Sequence, residues 1–224
     1  MKPCSFAVTL MMTVTLVAVS SASADDATEL AKKLANPISS LISLPIQANY
    51  DEKFGSDEEG ERWLINVQPV IPISLNEDWN IISRTILPII DQKNWQLPEL
   101  NKSGLGDITQ SIFFSPKAPT SSGWIWGVGP VLYLDTATND VLGAQKWGAG
   151  PTAVALKQAG PWTYGALVTQ VNSFAGDGSR EDISAPFVQP FVSYVTSTIT
   201  TIISHAASSY NWEGNAWSVP LQLF

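Results

Sequence analysis

The residues able to do chemistry in this chain are few and widely spread. Arg84 and Asp107 are the only charges well inside apolar, strand-like segments. By alternation both point away from the apolar side of their segments, and they stand on consecutive segments where they could pair. Such a pair is either a constriction that orients a passing solute or a structural salt bridge inside a lumen, and the second is the simpler reading. His205 is the one histidine. A membrane hydrolase would use it as base for a serine such as Ser193 or Ser204, but no G-x-S-x-G elbow accompanies it. Metal donors are equally short: there is no H-E-x-x-H, and the one cysteine is Cys4. Gly104-Leu105-Gly106-Asp107 lacks the third glycine and the following helix of a dinucleotide loop. Asp135, Asp140 and the acidic stretch 51–61 could attract calcium or the cations that bridge lipopolysaccharide, but no twelve-residue calcium-loop pattern is present. Gly127, Gly129, Gly148 and Gly150 thin the inward face of two adjacent segments, leaving room for a ligand, a plug or close strand packing. Arg84, Asp107, Gly127 and Gly129 are therefore the candidates to line a lumen. No catalytic residue, metal site or cofactor is expected, and the protein is read as non-enzymatic.

The elements that must carry these residues are set by the stretch from Arg62 to Asp91. Two apolar runs flank the short turn Asn76-Glu77-Asp78. In the first, Trp63, Ile65, Val67, Ile71 and Ile73 share one parity; Asn66, Gln68 and Ser74 share the other, with Leu64 and Val70 among them. In the second, Trp79, Ile81, Leu87 and Ile89 face one way, Asn80 and Arg84 the other. Period two is the strand signature. A sheet apolar throughout on one face and mixed on the other suits a membrane-spanning barrel, with lipid outside and a wet lumen inside.

Composition agrees with that setting. Of 224 residues only 14% are charged, against about 25% in globular domains. Residues 1–24 read as a signal peptide, with Lys2 as its positive end, Phe6 to Val19 as its apolar core and Ala22-Ser23-Ala24 as its cleavage site. Removing it takes away Cys4, and with it disulfide, thiolate-metal and cysteine-nucleophile chemistry. It leaves 11 basic against 20 acidic residues, a net charge of −9. That acidity argues against a nucleic-acid partner. Export together with the barrel pattern leads to the expectation of a bacterial outer-membrane protein, with lipid and lipopolysaccharide as its surroundings.

Residues 25–39 read as a short periplasmic helix and linker, the helix over Asp26–Ala35 ending at Asn36-Pro37. Residues 40–224 read as the barrel: ten segments at roughly 40–50, 62–75, 79–91, 104–116, 123–134, 146–158, 161–173, 184–196, 199–209 and 216–223. Most exceed the ~5–6 residues of ordinary strands and match the ~9–11 of a tilted membrane strand. Connections at 51–61, 92–103, 135–145 and 174–183 are long and polar; those at 76–78, 117–122, 159–160 and 197–198 are short. Short periplasmic turns and long outer loops alternate in this way in outer-membrane barrels. Trp63, Trp79, Trp124, Trp126, Trp147, Trp162 and Trp217 fall near segment starts, where an interfacial girdle lies. Gln68-Pro69, Leu87-Pro88, Gly129-Pro130, Gly150-Pro151 and Gln189-Pro190 recur inside segments. Proline donates nothing to a ladder, so these predict bulges or bends.

Five stretches carry a family likeness: L-A-N-P-I-S-S-L-I-S-L-P-I-Q (34–47), N-V-Q-P-V-I-P-I-S-L-N-E-D-W-N-I-I-S-R-T-I-L-P-I-I (66–90), S-G-L-G-D-I-T-Q-S-I-F-F-S-P-K (103–117), G-W-I-W-G-V-G-P-V (123–131) and K-W-G-A-G-P-T-A-V-A-L-K-Q-A-G-P-W-T-Y-G-A-L (146–167). The chain resembles the bacterial outer-membrane family of the phenol-degradation meta-pathway, whose members are labelled transporters and often mislabelled neuromedin U. The resemblance implies an all-β, antiparallel up-and-down transmembrane barrel. It implies passive passage of small solutes, hydrophobic or aromatic ones among them, and no catalytic residues. The alternative is a structural or adhesive barrel with a packed lumen. The family pattern runs past W-S-V-P-L by about one hairpin, implying twelve strands where this chain supplies ten. Phe224 supplies the terminal aromatic read by the barrel-assembly machinery, although Pro220 and Gln222 break the alternation before it.

Overall fold

Alternation at period two, not local propensity, dictates the architecture of this chain. In the computed structural model the backbone is described for residues 9–16, 24–34, 36–54, 59–93, 101–196, 201–206, 208–211, 216–218 and 221–223, and side chains for 29–34, 36–52, 59–93 and 101–196. The strands are β1 (Thr9–Leu16), β2 (Leu44–Phe54), β3 (Gly60–Val67), β4 (Val70–Ser74), β5 (Trp79–Lys93), β6 (Lys102–Leu105), β7 (Ile108–Pro116), β8 (Trp124–Leu134), β9 (Lys146–Ala159), β10 (Trp162–Gly176), β11 (Ser184–Val195), β12 (Thr201–Ala206), β13 (Ser208–Asn211), β14 (Ala216–Ser218) and β15 (Leu221–Leu223); α1 (Ala24–Leu34) is the one helix among the described residues. From β2 onward these make ten antiparallel passes, because β3–β4, β6–β7, β12–β13 and β14–β15 are each one pass with an interruption. The sheet curls into a half-barrel.

Two of the interruptions fall where the sequence puts a proline or a turn pair. Gln68-Pro69 separates β3 from β4, and Gly106-Asp107 separates β6 from β7. The β7–β8 ladder skips Ile112 and Phe113, opposite Pro130 and Gly129. The β9–β10 ladder skips Gly150 and Pro151, opposite Val171 and Gln170. A proline cannot supply the missing ladder bond. The glycine before it lets the neighbouring backbone come close: a Cβ on Gly129 would lie 1.8 Å from the Ile112 carbonyl oxygen, and one on Gly150 1.8 Å from that of Gln170. These ladder gaps stand side by side, since Pro130 pairs with Pro151; at Gln189-Pro190 the β10–β11 ladder and at Leu87-Pro88 the β3–β5 ladder run on without a break.

Two expectations about the ends of the strands need correction. The segment 51–61 is mostly strand, since Asp51 pairs with Arg62 and Glu52 with Glu61 in the β2–β3 register. Polar side chains tolerate a hairpin that continues into water, so its connection shrinks to 55–59. The β7–β8 connection, 117–123, is no shorter, and the contrast between long and short connections is weaker than the sequence suggests. The long loops 135–145 and 177–183 remain.

β1 falls in the apolar core of the expected signal peptide. It lies antiparallel along the free edge of β2, from Thr9 opposite Asp51 to Leu16 opposite Leu44. The opposite end of the sheet is β15, which pairs with β12.

Candidate lumen and outer wall

The convex face is mostly apolar, interrupted by a hydrogen-bonded group of Ser83, Thr85 and Gln110 on β5 and β7 and by Gln170 on β10. Trp63, Ile71, Ile73, Ile89, Phe114, Val128, Val168, Val188 and Val192 are all exposed on it. Trp63, Ile71, Ile73 and Ile89 belong to the parity that the sequence assigned to one face. Alternation alone explains why they cannot be hidden: within each strand they stand opposite the residues that fill the concave side.

Aromatic rings close the lower rim of this face, at the end of the short turns 75–78 and 160–161. Trp79 meets Trp126 edge-on at 5.8 Å, Trp124 meets Tyr164 edge-on at 6.1 Å, and Trp162 meets Tyr194 at 4.7 Å. Tyr50 and Trp63 pair at 4.9 Å near the opposite rim, where the half-exposed Trp147 also lies. These tryptophans thus fall in two bands, with Trp79, Trp124, Trp126 and Trp162 in the lower and Trp63 and Trp147 in the upper. The side chain of Trp217 lies outside the described residues.

The concave side has two zones. Its long-loop half is polar. Arg62 donates through Nη2 to Asp51 Oδ2 at 2.9 Å. Gln68 Nε2 donates to Gln47 Oε1 at 3.0 Å, and Arg84 Nη2 donates to Gln68 Oε1 at 2.9 Å. Its short-turn half is apolar: Val70, Ile82, Phe113, Val154, Leu156 and Leu167 are buried together with Ile38. A lumen that is wet throughout is therefore not what the structure contains. The inward parity that carries Asn66 and Arg84 also carries Val70 and Ile82, and a narrow curl brings the apolar members together.

Arg84 and Asp107 do not pair. The β5–β7 register puts Arg84 opposite Ser111, so Asp107 stands four residues further along, roughly 13 Å at the rise of a strand. Asp107 instead anchors the loop above it. Its carboxylate accepts from the Tyr133 hydroxyl at 3.0 Å and from the backbone N–H groups of Thr136, Ala137 and Ala144 at 3.0, 3.0 and 2.7 Å. This arrangement holds the strand and both ends of loop 135–145 on one side chain.

That loop is tied to the next. Arg180 donates to the carbonyl oxygens of Asp140 and Gly143, and the Asp177 N–H donates to Gln145 O at 2.9 Å. Lys146 Nζ donates to Asp182 Oδ1 at 2.8 Å, with Ser173 on the same oxygen. These two donors hold the Asp182 carboxyl below the usual carboxylate range. The tied loops bound a cleft of about 620 Å³, lined by Ala144, Ser179, Arg180, Glu181, Asp182 and Ser184 among others.

Gly127 and Gly129 are inward, as expected, but neither opens a passage. Gly129 makes room for its neighbour's backbone. A Cβ on Gly127 would meet Phe113 Cβ at 3.3 Å and Ile38 Cδ1 at 3.4 Å, so this glycine makes room for side chains already in place. Ile38 was not foreseen: it follows Asn36-Pro37 in a stretch without periodicity, and nothing in the sequence marks it as inward.

The strand register sets His205 opposite Phe191 and Ser193 opposite Ile203. Ser193 Oγ is buried without a hydrogen-bond partner among the described residues; the His205 side chain lies outside them. No group of three or more metal-ligating side chains occurs among the described residues.

No protein-family model, curated protein or solved structure matches this chain. The functional reading therefore stands on the geometry of the wall and of the concave side.

Proposed function

We propose that the chain is a bacterial outer-membrane β-barrel, exported with removal of residues 1–24, through which small solutes pass passively. The observation that carries this reading is the convex face: exposed apolar side chains on most strands, bounded below by the ring pairs of Trp79, Trp124 and Trp162. Rings with one apolar and one wet end favour the headgroup level of a bilayer. An exposed apolar surface of this extent on a water-soluble monomer would drive association. Loss of the leader frees the edge of β2, and pairing of that edge with the C-terminal strands closes the sheet, as a membrane requires of every ladder. The likeness to the phenol-degradation meta-pathway family is part of this proposal and supports a small, hydrophobic solute.

A ten-strand barrel leaves a narrow bore once side chains fill it, which disfavours a wide general pore. The polar half of the concave side, with Arg84 and Gln68, is the wet approach from the long-loop end. The second reading is a structural or adhesive barrel with a packed lumen, and the apolar cluster around Ile38 favours it. Outer-membrane fractionation, with boiled and unboiled samples compared on a gel, tests location and closure. The barrel is expected in the outer-membrane fraction and to migrate faster unboiled. Liposome swelling with graded solutes then separates the readings, since only the channel admits small uncharged solutes.

A further inference from the structure

We infer that the N-terminal strap, residues 36–42, is a stopper seated inside the barrel. Its Ile38 side chain occupies the apolar chamber that one small uncharged hydrocarbon ring or short chain takes in its place. This rests on the channel reading and names the site at which that channel is blocked.

The strap is built to present one side chain inward. α1 ends at Leu34, and the Gln158 amide donates to the carbonyl oxygen of Lys32 at 2.8 Å, pinning the helix end to β9 beside the short turn. Asn36 Oδ1 then accepts from the Ile38 N–H at 2.9 Å, its carbonyl accepts from the Ser39 N–H at 3.1 Å, and Ser39 Oγ accepts from the Leu41 N–H at 3.1 Å. These local bonds fold the chain into a tight bend with Ile38 at its tip. Beyond it, Ser43 and Val70 exchange backbone hydrogen bonds at 3.1 and 2.9 Å, fixing the other end. The strap is thus held at two ends, with only van der Waals contact at the tip.

Ile38 is 3% exposed, whereas Ile42 in the same strap is 68% exposed. Ile38 shares one buried apolar cluster with Val70, Ile82, Phe113, Val154, Leu156 and Leu167. They come from five passes of the sheet and offer no charged group. Gly127 supplies the space, since a side chain there would meet Ile38 and Phe113. A chamber lined by isoleucine, leucine and phenylalanine stays dry when emptied and accepts a small apolar guest. A polar or charged solute would lose its hydration there without recovering partners. The chamber therefore selects by class: an uncharged hydrocarbon competes with Ile38 on equal terms, and an ion or sugar does not.

The chain without its leader contains no cysteine, so one introduced thiol reports alone. Ile38→Cys and Ile42→Cys are made separately and reacted in outer-membrane vesicles with a water-soluble maleimide, with and without saturating toluene. Thr120→Cys in the β7–β8 connection controls for general membrane loosening. Protection of Ile38→Cys at least tenfold relative to Ile42→Cys is expected, with toluene removing most of it and leaving Thr120→Cys unchanged. Equal reactivity at positions 38 and 42 without toluene overturns the stopper. Protection that toluene does not relieve overturns displacement by a hydrocarbon guest. Swelling of liposomes holding the unaltered protein is measured alongside. Relieved protection without any solute flux refutes the channel and leaves the chamber standing, whereas flux with an unprotected Ile38→Cys refutes the stopper and leaves the channel.

Discussion

Asp107 shows how much one side chain organises here. Its carboxylate holds three backbone N–H groups of loop 135–145 and the Tyr133 hydroxyl, and it is 6% exposed. Asp107→Ala strands those donors at once. Each hydrogen bond to a charged group contributes about 1.5–3 kcal/mol, and buried donors left alone carry a desolvation cost. A loss of about 3 kcal/mol or more in urea unfolding is expected, together with new protease cleavage within 135–145. Asp182 makes the neighbouring tether pH-dependent. Its carboxyl lies lower when folded than when unfolded, because Lys146 and Ser173 favour the charged form. The tether is therefore intact above the unfolded value of about 3.9 and is lost as pH falls through the lower folded value. Pepsin cleavage within 177–183 should be slow near pH 5 and rise steeply toward pH 2, and Asp182→Asn should be cut readily at both. Sequence reading picked out Asp107 as an unusual charge but misassigned its partner. Alternation gives the face of a residue, whereas its partners depend on register and on loop closure, and neither is written locally.

At the scale of elements, the Gly-Pro pairs open gaps in the ladder and bring neighbouring backbones close. Gly129 and Gly150 stand where a side chain would collide with the carbonyl oxygen of the adjacent strand. Gly129→Val or Gly150→Val must push two strands apart, and overpacking of this kind costs about 1–3 kcal/mol or more. Each variant is expected to lose the fast-migrating unboiled band on a gel, whereas Val128→Ala, on the open face beside it, should keep that band. The gaps at Gly129-Pro130 and Gly150-Pro151 were legible because proline cannot serve a ladder. The ten passes were legible from period two, with Trp63 to Ile73 and Trp79 to Ile89 the clearest examples. The strap around Ile38 was not, because a bend held by Asn36 and Ser39 has no period to read. The end of the first pass, β2, was misjudged for a related reason. Charged residues such as Asp51 and Glu61 suggest a loop, yet a hairpin arm standing in water carries them equally well.

At the scale of the whole molecule, everything depends on what covers the convex face. The two aromatic bands stand at opposite rims of a mostly apolar wall, and alternation has left its apolar side chains nothing of their own chain to pack against. A bilayer explains both the bands and the wall; a second protein layer would explain only the wall. Nitroxide labels on Val128→Cys, Val168→Cys and Val188→Cys, read for collision with oxygen and with a water-soluble nickel chelate in reconstituted membranes, decide this most directly. The account predicts ready collision with oxygen and almost none with the chelate at all three sites. Chelate access equal to that of Thr120→Cys, or exclusion of both reagents as in a protein interior, would contradict it.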